Sequence, residues 1–217
     1  MHRIFGILLA FLFYLGQLNA QVEEEAITLE TVTGNIEGTL LLPRAPEKLP
    51  VVLIIAGSGP TDRDGNNPIM KNNSLKMLAE GLAEHGIASL RYDKRGIGAS
   101  KTAGLEESQL RFGHYVDDAK VWIQLLAKDT RFSKVAVLGH SEGSLIGMIA
   151  SQDKAVDQYI SVAGIAEPAA MALKEQLKAQ PAFVAELSNP ILDRLEMGQQ
   201  VDSVPPILFS LFRPSVQ

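Results

Sequence analysis

The stretch KVAVLGHSEGSLIGMI, residues 134–149, decides the fold. In Lys134 to Leu138 (KVAVL) the four residues after the lysine form an unbroken apolar run, as in a strand covered on both faces. Leu145 to Ile149 continues as an apolar helix. Between them lies Gly139-His140-Ser141-Glu142-Gly143, a G-x-S-x-G pattern set between strand and helix. A serine at so sharp a turn is held in a strained backbone conformation, so the residues two places away on either side have to be small. The turn lifts the Ser141 hydroxyl clear of the sheet. The helix that follows points free N–H groups and its positive dipole end at developing negative charge. The pattern therefore nominates Ser141 as a nucleophile, Gly139 and Gly143 as the glycines of its elbow, and the Glu142 N–H as an oxyanion donor. The plain alternative is a glycine-rich turn with an incidental serine.

Outward from this turn, strand and helix patterns alternate. Ala26 to Thr33 and Asn35 to Leu42 form an antiparallel ribbon turning at Gly34. Val51 to Ile55 is a second continuous apolar strand. Leu75, Leu78 and Leu82 recur at helical spacing, with Ser74 placed to cap the start and Gly86 the end. Ile87 to Tyr92 is a strand, and Tyr115, Ala119, Trp122 and Leu126 share one face of a long helix. The helix after Ser141 runs to about Ala150, and Tyr159 to Ala163 is a further strand. This order predicts an α/β fold with a mostly parallel sheet and helices on both faces. Chemistry in such sheets gathers at the carboxyl ends of strands.

Two further strand ends carry unusual sequence. After Ile55 comes GSGPTDRDGN, residues 57–66, whose glycines let backbone N–H groups face a substrate oxygen. The Ser58 N–H is the natural partner of Glu142 in an oxyanion hole. Rival motifs fail here. A dinucleotide fingerprint needs glycine where Asp62 stands, a phosphate loop needs Gly-Lys-Ser/Thr, and a calcium loop needs glycine at 67 and glutamate at 73, where both residues are asparagine. Asp62, Arg63 and Asp64 are expected to brace this loop. After the strand at 87–92 comes YDKRGIGAS, residues 92–100, where Asp93 and Arg95 are expected to tie the turn by an ion pair.

Taken in order, GSGPTDRDGN, YDKRGIGAS and GHSEG resemble the α/β-hydrolase superfamily, and within it the exported bacterial carboxylesterase and serine aminopeptidase-like (S33-type) branch. The resemblance runs from about Ile27 to the end of the chain. It implies Ser141 as the acyl-forming nucleophile, an oxyanion hole from the Ser58 and Glu142 main chains, and no metal or organic cofactor. It also implies eight strands and a triad in the order serine, acid, histidine. About six strands can be counted. The histidines are His2, His85, His114 and His140, and none follows Ser141. Glu167 sits where a few relatives place the acid; Asp193 and Asp202 lie farther on. The stretches 169–180 and 182–195, broken by Pro181 and Pro190, read as cap helices within residues 168–200 or as ordinary sheet-covering helices. The terminal stretch PPILFSLFRPSVQ is unusually apolar for a free end. The expectation is a C-terminally truncated α/β-hydrolase fold with a partial helical cap. The chain is read as a fragment lacking ~80–120 residues that carry the acid and the histidine, and as inactive or nearly so by itself.

Composition sets the remaining bounds. The 217 residues are 46% hydrophobic and 21% charged, ordinary for a globular domain, and the formal charge of −5 comes without basic clusters, so nucleic acid is not an expected partner. Absence of cysteine excludes disulfides, thiolate metal sites and cysteine nucleophiles. A positive start at Met1-His2-Arg3, the apolar run Ile4 to Gly16 and the small Ala20 have a signal-peptide layout, with residues 21–217 as the hydrolase domain. The apolar run is short for a membrane span, so export to the periplasm or medium without stable membrane association is expected, with an uncleaved anchor as the alternative. The expected reaction is ester hydrolysis through an acyl-enzyme on a small molecule. The alternatives are cleavage of peptide or amide bonds, or a non-catalytic hydrolase-like binding protein.

Overall fold

The apolar run of the third strand shows how the sheet is covered. In the computed structural model, which describes residues 22–152 and 155–217, β3 (Leu49–Ile55) sends Val51, Leu53 and Ile55 into one core and Val52 and Ile54 into another. Successive strand residues face opposite sides, so the unbroken apolar run of β3 covers both faces. The first core lies against α2 (Phe112–Lys128) and α3 (Glu142–Ala150), through Val116, Ala119, Trp122, Ile123, Leu126 and Ile146. The second lies against α1 (Ser74–Glu84), through Leu75, Ala79 and Ala83.

Among the described residues six strands form one sheet in the order β1-β2-β4-β3-β5-β6. β1 (Val22–Thr31) and β2 (Gly34–Pro43) pair antiparallel, and β2 is antiparallel to β4 (Ala88–Tyr92). The pairs β3–β4, β3–β5 and β5–β6 are parallel, with β5 spanning Phe132–His140 and β6 spanning Gln158–Val162. This is the mostly parallel α/β sheet that the strand–helix alternation implies, with six strands as counted among the described residues. β6 pairs with β5 on one side, and every residue of it is exposed.

Several local expectations are corrected. The ribbon turns at Val32-Thr33, and Gly34 opens β2 because a side chain there would stand 2.3 Å from the Thr102 carbonyl oxygen. α1 begins at Ser74, but its N-cap is Asn73, with no side-chain cap. The Leu75 and Lys76 N–H groups instead donate to the Asp64 carbonyl at 3.1 and 3.3 Å. Its C-terminus closes as read, with Gly86 at φ +74° and paired bonds from Gly86 to Ala83 and from Ile87 to Leu82. Pro181 starts α5 (Ala182–Glu196), whereas Pro190 lies inside that helix and does not break it.

α4 (Ala169–Leu177), α5 and the chain through Phe212 bury Leu177, Ile191, Leu192, Val201, Leu208 and Phe212 against one another, in a cluster that contains no sheet residue. Arg213 and Ser215 bind the Glu107 carboxylate, which anchors this layer to the chain leaving the carboxyl end of β4. The signal-peptide reading of residues 1–20 lies outside the described residues.

Candidate active site

The turn at Ser141 is built by close backbone approach. Ser141 adopts φ 53°, ψ −121° between β5 and α3, a combination that L residues rarely adopt. A Cβ on Gly139 would stand 2.1 Å from the Gly143 carbonyl oxygen, and one on Gly143 would stand 2.3 Å from the Ile55 oxygen. Both glycines are therefore required by main chain that cannot give way. The Ser141 N–H donates to the Val162 carbonyl at 2.9 Å, and the Ser144 hydroxyl donates to the Gly139 carbonyl at 2.6 Å. The Tyr159 hydroxyl donates to the Ser144 carbonyl at 2.7 Å, so β6 braces the turn from its far side.

The loop after β3 lies against this turn. A methyl on Gly57 would be 3.2 Å from Ser141 Cβ and 3.2 Å from His140 Nδ1, which places the Gly57 main chain beside the serine. Gly59 follows at φ +75°, a conformation that glycine adopts at no steric cost. Among the described residues the Ser58 N–H has no acceptor, and Glu142, first residue of α3, has no intrahelical acceptor for its own. Two unpaired N–H groups beside a strained serine are the parts an oxyanion hole requires.

A set of buried charges ties the loops together. The Asp93 carboxylate accepts from the Arg63 N–H at 2.7 Å, the Arg63 guanidinium at 2.8 Å and the Ala99 N–H at 2.8 Å. The expected Asp93–Arg95 pair does not form. Gly98, at φ +52°, would drive a Cβ to 2.5 Å from the Asp93 carboxylate, so only glycine lets the turn curl its N–H groups onto that anion. Arg95 is drawn instead to a two-pronged pair with Asp118 on α2, both bonds at 2.6 Å. Asp62 accepts from the Asp64 and Asn66 N–H groups, and Asp64 pairs with Arg91 at 3.2 Å, so all three charged residues of the 57–66 loop brace it as expected.

Lys94, which sequence reasoning passed over, lies at the centre. Its side chain is 2% exposed, and its ammonium donates to the Gly57 carbonyl at 2.5 Å, lies 3.6 Å from a Glu142 carboxylate oxygen and sits over the Tyr115 ring. Burial pulls its pKa below the usual lysine value, against the opposing pull of Glu142. The cue available in the sequence was a lysine between Asp93 and Arg95 at the end of a fully buried strand.

No imidazole or carboxylate among the described residues hydrogen-bonds the Ser141 hydroxyl. His85 pairs with the Gly81 carbonyl at a helix end, and His140 is exposed. His114 accepts the Arg111 N–H at 3.1 Å and so closes the start of α2, a structural role beyond simple solvation. Glu167 and Asp202 are exposed, and Asp193 pairs with Lys174.

Comparison with known proteins agrees with the architecture. Residues 71–207 match the family described as serine aminopeptidase, S33. The chain is 29% identical over 203 residues to Esterase EstD of Thermotoga maritima, covering 92% of this chain and 47% of that protein, so it spans about half the length of this curated relative. Among solved structures it is similar to the α/β hydrolase GrgF from Penicillium sp. sh18, with TM-score 0.59, 20% identity, and 90% of this chain and 63% of that one covered. It is also similar to a dienelactone hydrolase from Anabaena variabilis, with TM-score 0.52, 23% identity, and 66% and 64% covered. At these identities the structural likeness concerns the fold.

Proposed function

The chain belongs to the serine aminopeptidase, S33 family of the α/β-hydrolases, and on that premise we propose that it carries the nucleophile and oxyanion hole of a carboxylic ester hydrolase. The observation that supports this most is Ser141, held at positive φ where β5 meets α3, with the Gly57–Ser58 main chain against its Cβ. In this reading the Ser141 oxygen attacks an ester carbonyl. The Ser58 and Glu142 N–H groups receive the developing oxyanion, the alcohol leaves, and water then releases the acyl group from the serine. The likeness to Esterase EstD favours esters; the family's description as a serine aminopeptidase favours amides as the second reading. Neither reading calls for a metal or an organic cofactor. The chemistry does call for a general base, and none stands at Ser141 among the described residues. Residues 1–20 would direct the protein to export.

The test is hydrolysis of short p-nitrophenyl esters and aminoacyl amides by the protein carrying this chain, with Ser141→Ala beside it. The expected result is ester turnover that Ser141→Ala abolishes. Amide turnover with little ester turnover would favour the second reading. Equal rates for the wild type and Ser141→Ala would leave a binding protein with a hydrolase fold.

A further inference from the structure

Lys94 stands at a position where an apolar side chain would be the inexpensive choice. Desolvating an ammonium is costly unless its partners compensate, and each partner of Lys94 belongs to the machinery around Ser141 or lies beside it. We propose that Lys94 is the positioning residue of the oxyanion hole, one buried cation that orients both backbone donors. The proposal rests on the serine hydrolase reading and deepens it.

The geometry works through the peptide plane. The Gly57 carbonyl and the Ser58 N–H belong to one peptide unit, which is trans, as are the others described. In a trans unit the C=O and N–H point in opposite directions. Holding the Gly57 oxygen on the buried side with the Lys94 ammonium therefore turns the Ser58 N–H to the other side. A cation on the carbonyl also draws electron density through the amide and strengthens its N–H as a donor. The same ammonium faces the carboxylate of Glu142 at 3.6 Å, and Glu142 supplies the second N–H from the first position of α3. Lys94 thus links the two halves of the hole from a third loop. That loop is itself fixed, because the Ser100 hydroxyl donates to the Asp93 carbonyl at 2.9 Å and Arg95 grips Asp118.

The experiment compares wild type, Lys94→Met and Lys94→Cys in the protein carrying this chain, with active sites counted by a fluorophosphonate. The described chain has no cysteine of its own. In a background in which any cysteine outside these residues is replaced by serine, Lys94→Cys can be alkylated in denaturant with bromoethylamine, which restores an ammonium, or with bromopropane, which restores only bulk, and then refolded. Removing one direct donor from an oxyanion hole costs about 10²–10³ in kcat. Loss of its positioning group is expected to cost about 10- to 100-fold in kcat with KM within about twofold. The aminoethylated protein should recover and the propylated one should not. Rates per active site in Lys94→Met close to wild type, or equal recovery by both alkylations, would overturn the proposal and leave Lys94 a packing residue. If wild type and Ser141→Ala hydrolyse esters equally, the hydrolase reading itself fails. The crystal structure of Lys94→Met then decides the geometry: an unrotated Gly57–Ser58 peptide overturns the positioning role, and a rotated one supports it.

Discussion

Gly139→Ala offers the sharpest test of how the turn is built. The added methyl would lie 2.1 Å from the Gly143 carbonyl oxygen, 2.4 Å from its carbon and 2.5 Å from Ser144 Cα. All three are main-chain atoms, and they belong to the turn that Ser141 needs. Overpacking against movable side chains costs about 1–3 kcal/mol; against main chain the upper end, about 3 kcal/mol, is expected. With a urea slope of about 2–3 kcal/mol per M for a domain of this size, the unfolding midpoint should fall by roughly 1–1.5 M. Trp122, the single tryptophan of the chain, is fully buried 5.7 Å from Tyr92 and reports the transition by fluorescence. Gly81→Ala is the matched control. Gly81 lies inside α1, and a Cβ there meets nothing within 4 Å, so alanine should stabilise by about 0.5–1 kcal/mol. The same chemical change thus has opposite signs at two sites. A Gly139→Ala midpoint within about 0.3 M of wild type would refute the close-approach argument.

Ser141→Gly should raise stability by about 1 kcal/mol, because glycine holds φ 53°, ψ −121° without a Cβ clash; a lower melting temperature would show that the serine is not strained. Asp93→Asn turns an amide group toward the donors of Arg63 and Ala99 and leaves the Arg63 guanidinium without its anion. It should cost about 3 kcal/mol in urea unfolding, and a loss below about 1 kcal/mol would mean that water replaces the carboxylate. Lys94 carries a pH signature in stability. Its native pKa is lowered by burial, so between that value and the ordinary 10.5 the unfolded chain binds more protons than the folded one. Stability of the wild type relative to Lys94→Met should therefore rise with pH through that window. The facing groups are Glu142 and Tyr115, and the Tyr115 phenol is pushed up to about 12 by burial, with Glu142 adding to the rise, so it stays protonated there. A difference that stays flat all the way to the ordinary lysine value of 10.5 would contradict the burial of the charge.

How much of this was legible depended on the range of the interaction. The strand–turn–helix around Ser141 is encoded locally, by glycines whose spacing reflects contacts inside one turn, and it reads directly from GHSEG. The buried strands at 51–55 and 135–138 were legible because each is an unbroken apolar run. Asp93 and Arg95 misled because nearness in sequence implied a pair, while the partners that compete for them, Arg63 and Asp118, come from 30 and 23 residues away. Lys94 was missed for the same reason. Its partners Gly57 and Glu142 lie in other loops, so the one local cue, its place after an apolar strand, did not identify them. Pro190 shows a different failure, since a helix held by its packing through Ile191 and Leu192 tolerates a proline that a local rule reads as a break.

The site is placed by sheet register before any side chain acts. Ile54 is level with Arg91 on β4 and with Leu138 on β5, so the three parallel strands end together and deliver the loops from 56, 93 and 140 to one edge. At that edge Asp93 and Lys94 follow one another just past the end of β4, and their side chains reach different partners in the neighbouring loop. One end of β4 therefore sends an anion to the N–H and guanidinium of Arg63 and a cation to the carbonyl of Gly57. A single apolar residue could fill either space, but it could not fix both the donors and the acceptor of the neighbouring loop. Adjacent opposite charges at the end of a buried strand can hold a loop rigid where main-chain pairing has stopped, and the Ser58 N–H depends on that rigidity for its aim.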